Sequence, residues 1–273
     1  MTASSPRPAE GVPTQSRALV DAAFLLLRPW RWLTEPACFG MEHVPAAGRV
    51  LLVANHTIMG VFDTPVLAAE IYARRGRMIR GLADRLHFAV PLWGAMLAQL
   101  GAVLGTRAAA VALLEAEEAV LVFPGGGREV MKRRGEKYRL LWGDRVGFAH
   151  VAIATGTPIV PLAMVGGEEF FDILADADDA VLTLPRLAMR ALAGRDEVPP
   201  IVAGLGGLPL PVPRPGRLYF AFGRPIPTDD WAGRADPAAC RAVRDLARAA
   251  VEERIAFALA RRDDDRARAA SGR

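Results

Sequence analysis

Serine is confined to the ends of this 273-residue chain, at Ser4, Ser5, Ser16 and Ser271. The interior thus lacks the nucleophile that a Ser-His-Asp hydrolase needs, and no G-x-S-x-G turn exists. Cysteine is almost as scarce. Cys38 and Cys240 stand far apart, fit no metal-ligand spacing and lie in no nucleophile motif. A reduced cytoplasmic setting is the expectation for such a chain. The histidines His43, His56, His87 and His150 pair neither with one another nor with cysteine at zinc spacing. A G-x-x-x-x-G-K-[ST] phosphate loop is absent, and so is an uninterrupted apolar run of spanning length. The best such run, 18–27, is cut off by Arg28, Pro29 and Arg31. Covalent and metal mechanisms are poorly supplied. No metal and no bound cofactor are expected, and the available acid–base chemistry is a histidine with a carboxylate.

Hydrophobic residues make up 52% of the chain, and mean hydropathy is +0.19. Without a spanning helix, that oiliness implies a large core plus a membrane-facing patch. Net charge is +4, carried almost entirely by arginine, since Lys132 and Lys137 are the only lysines. A basic balance suits nucleic acid, anionic lipid or a phosphorylated ligand. No nucleic-acid-binding signature accompanies the charge, so nucleic acid is not an expected partner. One basic cluster stands out, at Lys132, Arg133, Arg134, Lys137 and Arg139.

Residues 1–16 are polar and Pro/Ser-rich and read as a disordered arm, with no secretory signal. An apolar helix is expected over 17–33, within an N-terminal interfacial region 17–39. Trp30 and Trp32 interleave there with Arg28 and Arg31, a pattern suited to a bilayer interface. The main domain is expected over 40–262, with a charged, fraying tail over 263–273. Apolar runs predict strands at 49–54, 78–82, 102–105, 119–123, 159–165 and 218–222. Helical patterns fall at 65–73, 90–99, 108–116, 145–155 and 238–260. This alternation predicts an α/β domain whose largely parallel sheet is covered on both faces. The Pro/Gly/Leu-rich stretch 199–215 reads either as a loop over the core or as a lipid-facing flap.

Chemistry concentrates after two strands. The first is followed by Asn55-His56-Thr57-Ile58-Met59-Gly60-Val61-Phe62-Asp63. The C-terminal end of a strand is where α/β folds build sites. Imidazole can take a hydroxyl proton near neutral pH, and a carboxylate on its other nitrogen would orient it. On a continuous helix Asp63 would lie about 10 Å from His56. The segment must therefore turn back, and Gly60 is where it could. The second motif is Phe123-Pro124-Gly125-Gly126-Gly127-Arg128-Glu129. Its glycines let backbone N–H groups approach a ligand, and Arg128 offers a fork for phosphate or carbonyl oxygen. A further strand ends at Gly105-Thr106-Arg107.

As a set, these motifs resemble the PlsC-like glycerolipid acyltransferase superfamily, whose signature runs Asn-His, Asp, an arginine-bearing strand end, Phe-Pro-Glu-Gly-Thr-Arg and a Val-Pro-type strand. The counterparts here are Asn55-His56 with Asp63, Gly105-Thr106-Arg107, Phe123 to Arg128, and Thr157-Pro158-Ile159-Val160-Pro161. Together they extend over most of the chain, from about Gly40 to Pro227. The run Pro124 to Glu129, continued by Arg134-Gly135-Glu136-Lys137-Tyr138, is similar to the branch holding diacylglycerol acyltransferase type 2, phytyl ester synthase and transmembrane-protein-68-like enzymes. That branch acylates neutral acceptors.

The resemblance implies a mixed, mostly parallel sheet flanked by helices. It implies transfer of a fatty acyl group from acyl-CoA or acyl-carrier protein to a lipid hydroxyl, at the cytoplasmic face of a membrane. His56 and Asp63 would be catalytic. Asn55, Arg107, Gly125, Gly126, Gly127, Arg128 and Glu129 would bind substrate. Two departures stand out: six residues separate His56 from Asp63 where four or five are usual, and Gly125 replaces the signature glutamate. The competing expectations are a lysophospholipid acyltransferase and a non-catalytic lipid-binding protein.

Overall fold

The protein is described here by a computed structural model covering residues 14–207 and 209–272. Most of the expected arm, 1–13, lies outside the described residues. The N-terminal half runs α1 (Arg17–Leu26), α2 (Arg28–Thr34), β1 (Ala37–Phe39), β2 (Val50–Ala54), α3 (Thr64–Arg75), β3 (Ile79–Ala83), α4 (Arg85–Phe88), α5 (Pro91–Gln99), β4 (Val103–Leu104) and α6 (Arg107–Glu115). The remainder runs β5 (Ala119–Val122), α7 (Gly127–Val130), α8 (Gly147–Thr155), β6 (Ile159–Val165), β7 (Asp172–Ala175), α9 (Thr183–Ala193), β8 (Ile201–Ala203), β9 (Tyr219–Phe222) and α10 (Pro237–Ser271).

Seven strands form one sheet in the order β1-β9-β6-β2-β5-β3-β4. β6, β2, β5, β3 and β4 are mutually parallel. β9 runs antiparallel to β6, and β1 parallel to β9. The mixed, mostly parallel sheet read from the sequence is thus present. β2 lies at its centre, and every residue of β2 is buried. Leu51 and Val53 face the side covered by α6, α8 and α10. Val50, Leu52 and Ala54 face the side covered by α3. Each fully buried Leu or Val side chain contributes about 1.5–3 kcal/mol. Strands wetted on neither face cannot alternate with polar residues, which is why these segments read as continuous apolar runs. β7 and β8 form a separate antiparallel ribbon that the short runs did not announce.

Three expectations change. The segment 17–33 is not one helix. It breaks at Leu27, and Pro29 opens α2, since proline lacks the N–H an unbroken helix would need. The two tryptophans then part company. Trp30 packs edge-on to Phe170 at 5.4 Å and donates from Nε1 to the Phe62 carbonyl at 2.8 Å. Trp32 is 77% exposed. The described part of the tail, 263–272, does not fray either, because α10 continues through Ser271. Arg262 and Arg266 pair with Glu169, and Asp265 pairs with Arg217 at 2.7 Å. Where the arm is described it is seated, with Gln15 Nε2 donating to the Leu100 carbonyl at 2.9 Å. The 199–215 stretch is divided: β8 buries Val202 and Ala203, while Leu205, Leu210 and Val212 are exposed. Among the described residues no helix is long and apolar enough to cross a membrane.

Trp30→Ala is expected to cost about 3 kcal/mol, the low end for a large aromatic side chain that loses core contacts. Trp32→Ala is expected to stay within about 0.5 kcal/mol of wild type. Urea denaturation of both variants checks the division.

Candidate active site

Asn55 follows β2 directly and stays fully buried. Its side-chain amide imitates a strand peptide: Nδ2 donates to the Met164 carbonyl at 2.9 Å, and Oδ1 accepts from the Met164 N–H at 2.8 Å. That pairing fixes where the chain leaves the sheet and so where His56 begins. The His56 N–H donates to Glu129 Oε2 at 2.8 Å. The His56 carbonyl accepts from Lys132 Nζ at 3.0 Å. The ring stacks on Phe123, with centroids 4.0 Å apart.

The loop then reverses. Met59 and Gly60 both take positive φ, 66° and 53°. A Cβ on Gly60 would overlap Cε1 of the His56 ring, so position 60 needs glycine both for conformation and for space. The reversal brings Asp63 back into the interior at the start of α3. Its Oδ2 accepts from Thr57 Oγ1 at 2.6 Å. Asp63 Oδ1 and His56 Nδ1 are both buried and make no hydrogen bond among the described residues. The two catalytic candidates therefore share one turned loop without a bond between them.

Burial, then the charges of Lys132 and His87, push the His56 imidazole down from 6.5 to about 3. Burial pushes the Asp63 carboxyl up, against the Thr57 hydroxyl bonded to it. Both effects on His56 favour the neutral imidazole, which is the form that can accept a proton.

Two apolar cavities flank the strand ends on opposite faces of the sheet. One, of about 470 Å³, is lined by Leu51, Leu82, Val122, Phe148 and Val151, with Phe123, Arg107 and Arg145 also on its wall. The other, of about 220 Å³, lies among α1, α3, α5 and β5 and includes Phe24, Leu27, Pro65, Leu97 and Leu121. Phe123, stacked on His56, forms part of the first wall; Thr64 and Pro65, next to Asp63, form part of the second.

The Acyltransferase family profile matches residues 36–165, the span that carries β2, the turned loop, Arg107 and the glycine run. Phytyl ester synthase 1, chloroplastic, of Arabidopsis thaliana is 32% identical over 250 residues, covering 83% of this chain and 34% of its own length. Residues 36–165 of the chain belong to the Acyltransferase family. A "DGAT1/2-independent enzyme synthesizing storage lipids" of Bos taurus is 34% identical over 123 residues, 45% of this chain and 36% of the relative. The chain thus spans about a third of either relative's length. The solved 1-acyl-sn-glycerophosphate acyltransferase PlsC of Thermotoga maritima superposes with a TM-score of 0.52 at 16% identity, over 86% of this chain and 78% of that one. That likeness concerns the fold.

Within this acyltransferase domain the residues expected to bind substrate divide. Asn55 is spent on β6 and presents nothing to a ligand. Glu129 is fully buried, with its second oxygen on the Leu141 N–H at 2.9 Å. It acts on the backbone around His56. Arg128 pairs with Glu136 and closes its own loop. Gly125 is glycine because a Cβ there would overlap the Glu129 side chain. The space beside position 125 is thus filled by a carboxylate arriving from position 129. The Gly126 N–H closes a turn onto the Phe123 carbonyl at 2.9 Å, and Gly127 opens α7. Of the residues expected to bind substrate, Arg107 meets the expectation of an available cation: it is exposed, lines the larger cavity and forms no ion pair among the described residues.

Three residues of the basic cluster are already paired with carboxylates, while Lys137 and Arg139 are exposed. Lys132 is buried against Glu168, Arg133 pairs with Asp178 and Arg134 with Asp179. Sequence reasoning missed Thr57, Lys132, Arg145 and Glu168 as members of the site. Only Lys132 left a signal, as one of two lysines in an arginine-rich chain. A compact ammonium fits where a planar guanidinium does not.

Gly60→Ala should lower turnover by about 10² or more, because the added methyl must displace the His56 ring. Circular dichroism should show the fold retained, and steady-state kinetics should show the loss in kcat.

Proposed function

We propose that this chain transfers a fatty acyl group from an acyl thioester, acyl-CoA or acyl-carrier protein, to the hydroxyl of a neutral lipid such as a diacylglycerol or long-chain alcohol. His56 takes the hydroxyl proton. The oxygen then attacks the thioester carbonyl, and the thiolate leaves and recovers a proton. No acyl-enzyme is required, in keeping with the lack of an interior serine. Asp63 Oδ1 is the carboxylate oxygen without a partner in the same loop. Engaging His56 Nδ1, it would stabilise the imidazolium and so strengthen a base whose desolvated ring is otherwise weak.

The observation that carries the acceptor class is the pair of apolar cavities whose walls include Phe123, stacked on His56, and Thr64, next to Asp63. A donor chain and an acceptor chain both need apolar seats, and the larger volume falls in the range of small-molecule sites. The names of the phytyl ester and storage-lipid relatives agree with a neutral acceptor. One observation favours a lysophospholipid acceptor instead: Arg107, charged and unpaired on the wall of the larger cavity.

Lipid would be met at a membrane surface, on the cytoplasmic face. Leu26, Trp32, Leu92, Leu184 and Leu192 are each more than three-quarters exposed, which is costly unless something apolar covers them. Trp32 is then the tryptophan that serves the interface, in place of the Trp30–Trp32 pair.

The test offers diacylglycerol, a fatty alcohol and lysophosphatidate together with a limiting labelled acyl thioester. Neutral esters should dominate the products, and phosphatidate as the main product would transfer the assignment to the lysophospholipid class. In the same assay His56→Ala should lower turnover about 10²–10⁴-fold. Asp63→Asn should lower it with little change in donor affinity. Wild-type turnover in a folded His56→Ala protein would remove the mechanism.

A further inference from the structure

Lys132 and Glu168 are both sealed from water, with side chains 0% exposed, and they form an ion pair. Burying two charges is expensive, and an apolar pair of similar volume would commonly serve stability as well or better. What this pair provides is position. Lys132 Nζ also donates to the His56 carbonyl at 3.0 Å. The free oxygen of Glu168 accepts from the Tyr138 N–H at 2.7 Å, which ties the ammonium to the segment after α7. On the other side of the same residue, Glu129 accepts the His56 N–H at 2.8 Å and the Leu141 N–H at 2.9 Å. The backbone N–H and C=O of one histidine are both held by buried charged side chains. Each of those is held in turn by a second backbone group or an ion pair.

We infer that Lys132, locked by Glu168 and acting with Glu129, is a positioning residue that fixes the His56 base from both of its flanking peptides. The inference rests on the reading of His56 as general base. A charge-assisted hydrogen bond to each peptide resists displacement better than a neutral one, and acyl transfer tolerates little displacement of its base.

The same ammonium has an electrostatic effect on the ring. Lys132 opposes protonation of His56 and favours the ionised forms of Asp63, Glu129 and Glu168. The charged groups around His56 are Lys132 beyond α7, His87 on α4 and Asp63 in its own loop. Glu129 sits on its N–H, Glu168 lies behind Lys132, and Arg145 holds the Pro124 and Gly125 carbonyls. Glu168 does not act directly on the imidazole. Removing the Lys132 charge should raise the His56 pKa, so the base is lost at higher pH.

The experiment compares wild type with Lys132→Met/Glu168→Gln, which removes both charges and leaves no orphaned carboxylate. The expected result is kcat lower by about 10², KM for both substrates within about threefold, and the acid limb of kcat/KM moved up by about one pH unit or more. A folded double variant with wild-type kcat overturns the inference. So does one that loses kcat with its acid limb unmoved, because that is a purely structural defect. If the double variant does not fold, Glu129→Gln decides. Gln keeps the shape but offers only one acceptor for two backbone N–H groups, so kcat should fall about tenfold or more with KM unchanged; full activity overturns the inference. His56→Ala run in parallel separates the two readings. If that control is inactive while the clamp variants are fully active, only the clamp fails; if the control is fully active, the general-base reading itself has failed.

Discussion

The ammonium of Lys132, shared between Glu168 and the His56 carbonyl, is the contact on which the arrangement of the site depends. It joins three segments that the sheet alone would leave separate: the loop after β2, the turn after α7 and the chain just past β6. Glu129 repeats the device on the His56 N–H. The network then reaches outward. Tyr138 donates its hydroxyl to Glu169 at 2.9 Å, and Glu169 holds Arg262 and Arg266 of α10. The C-terminal helix is therefore coupled through a chain of ion pairs and hydrogen bonds to the loop that carries His56. Such a buried network is costly unless it is completely satisfied, and here both oxygens of Glu129 and of Glu168 are engaged.

Around this polar centre the fold is apolar on both sides. The sheet divides the interior into two cores, and each core opens into a cavity near the strand ends. Desolvation of the half-buried His56 ring opposes its charge and favours the neutral imidazole. For transfer of an acyl chain to a lipid hydroxyl the arrangement is coherent. On the proposed reading, the donor's acyl chain and the lipid acceptor each need an apolar seat.

Much of this was legible in the chain. Apolar runs marked the six expected strands of the main sheet because a strand covered on both faces is mostly apolar, Arg80 in β3 being an exception. Gly60 announced the reversal before Asp63, and its positive φ supplies it. What was not legible depends on contacts distant in sequence. Asn55 reads as a ligand-binding neighbour of His56, yet its partner is the Met164 backbone, 109 residues away. Arg128 reads as an anion binder and Arg133 and Arg134 as part of an open basic cluster, but the carboxylates that neutralise these three come from Glu136, Asp178 and Asp179. Trp30 and Trp32 look alike in sequence, and only helix phase after the Pro29 break separates a core residue from a surface one. The charged end of α10 looked soluble and frayed because its partners, Glu169 and Arg217, lie in other elements.

The account's central claim is that the fold holds His56 as a neutral base. The most direct measurement is ¹⁵N NMR of the imidazole nitrogens across pH, with His56 assigned by its absence in His56→Gln. The account predicts neutral-imidazole shifts for His56 from pH 8 down to about pH 5, well below the ordinary histidine midpoint of about 6.5. A His56 signal that titrates near that ordinary midpoint would contradict it.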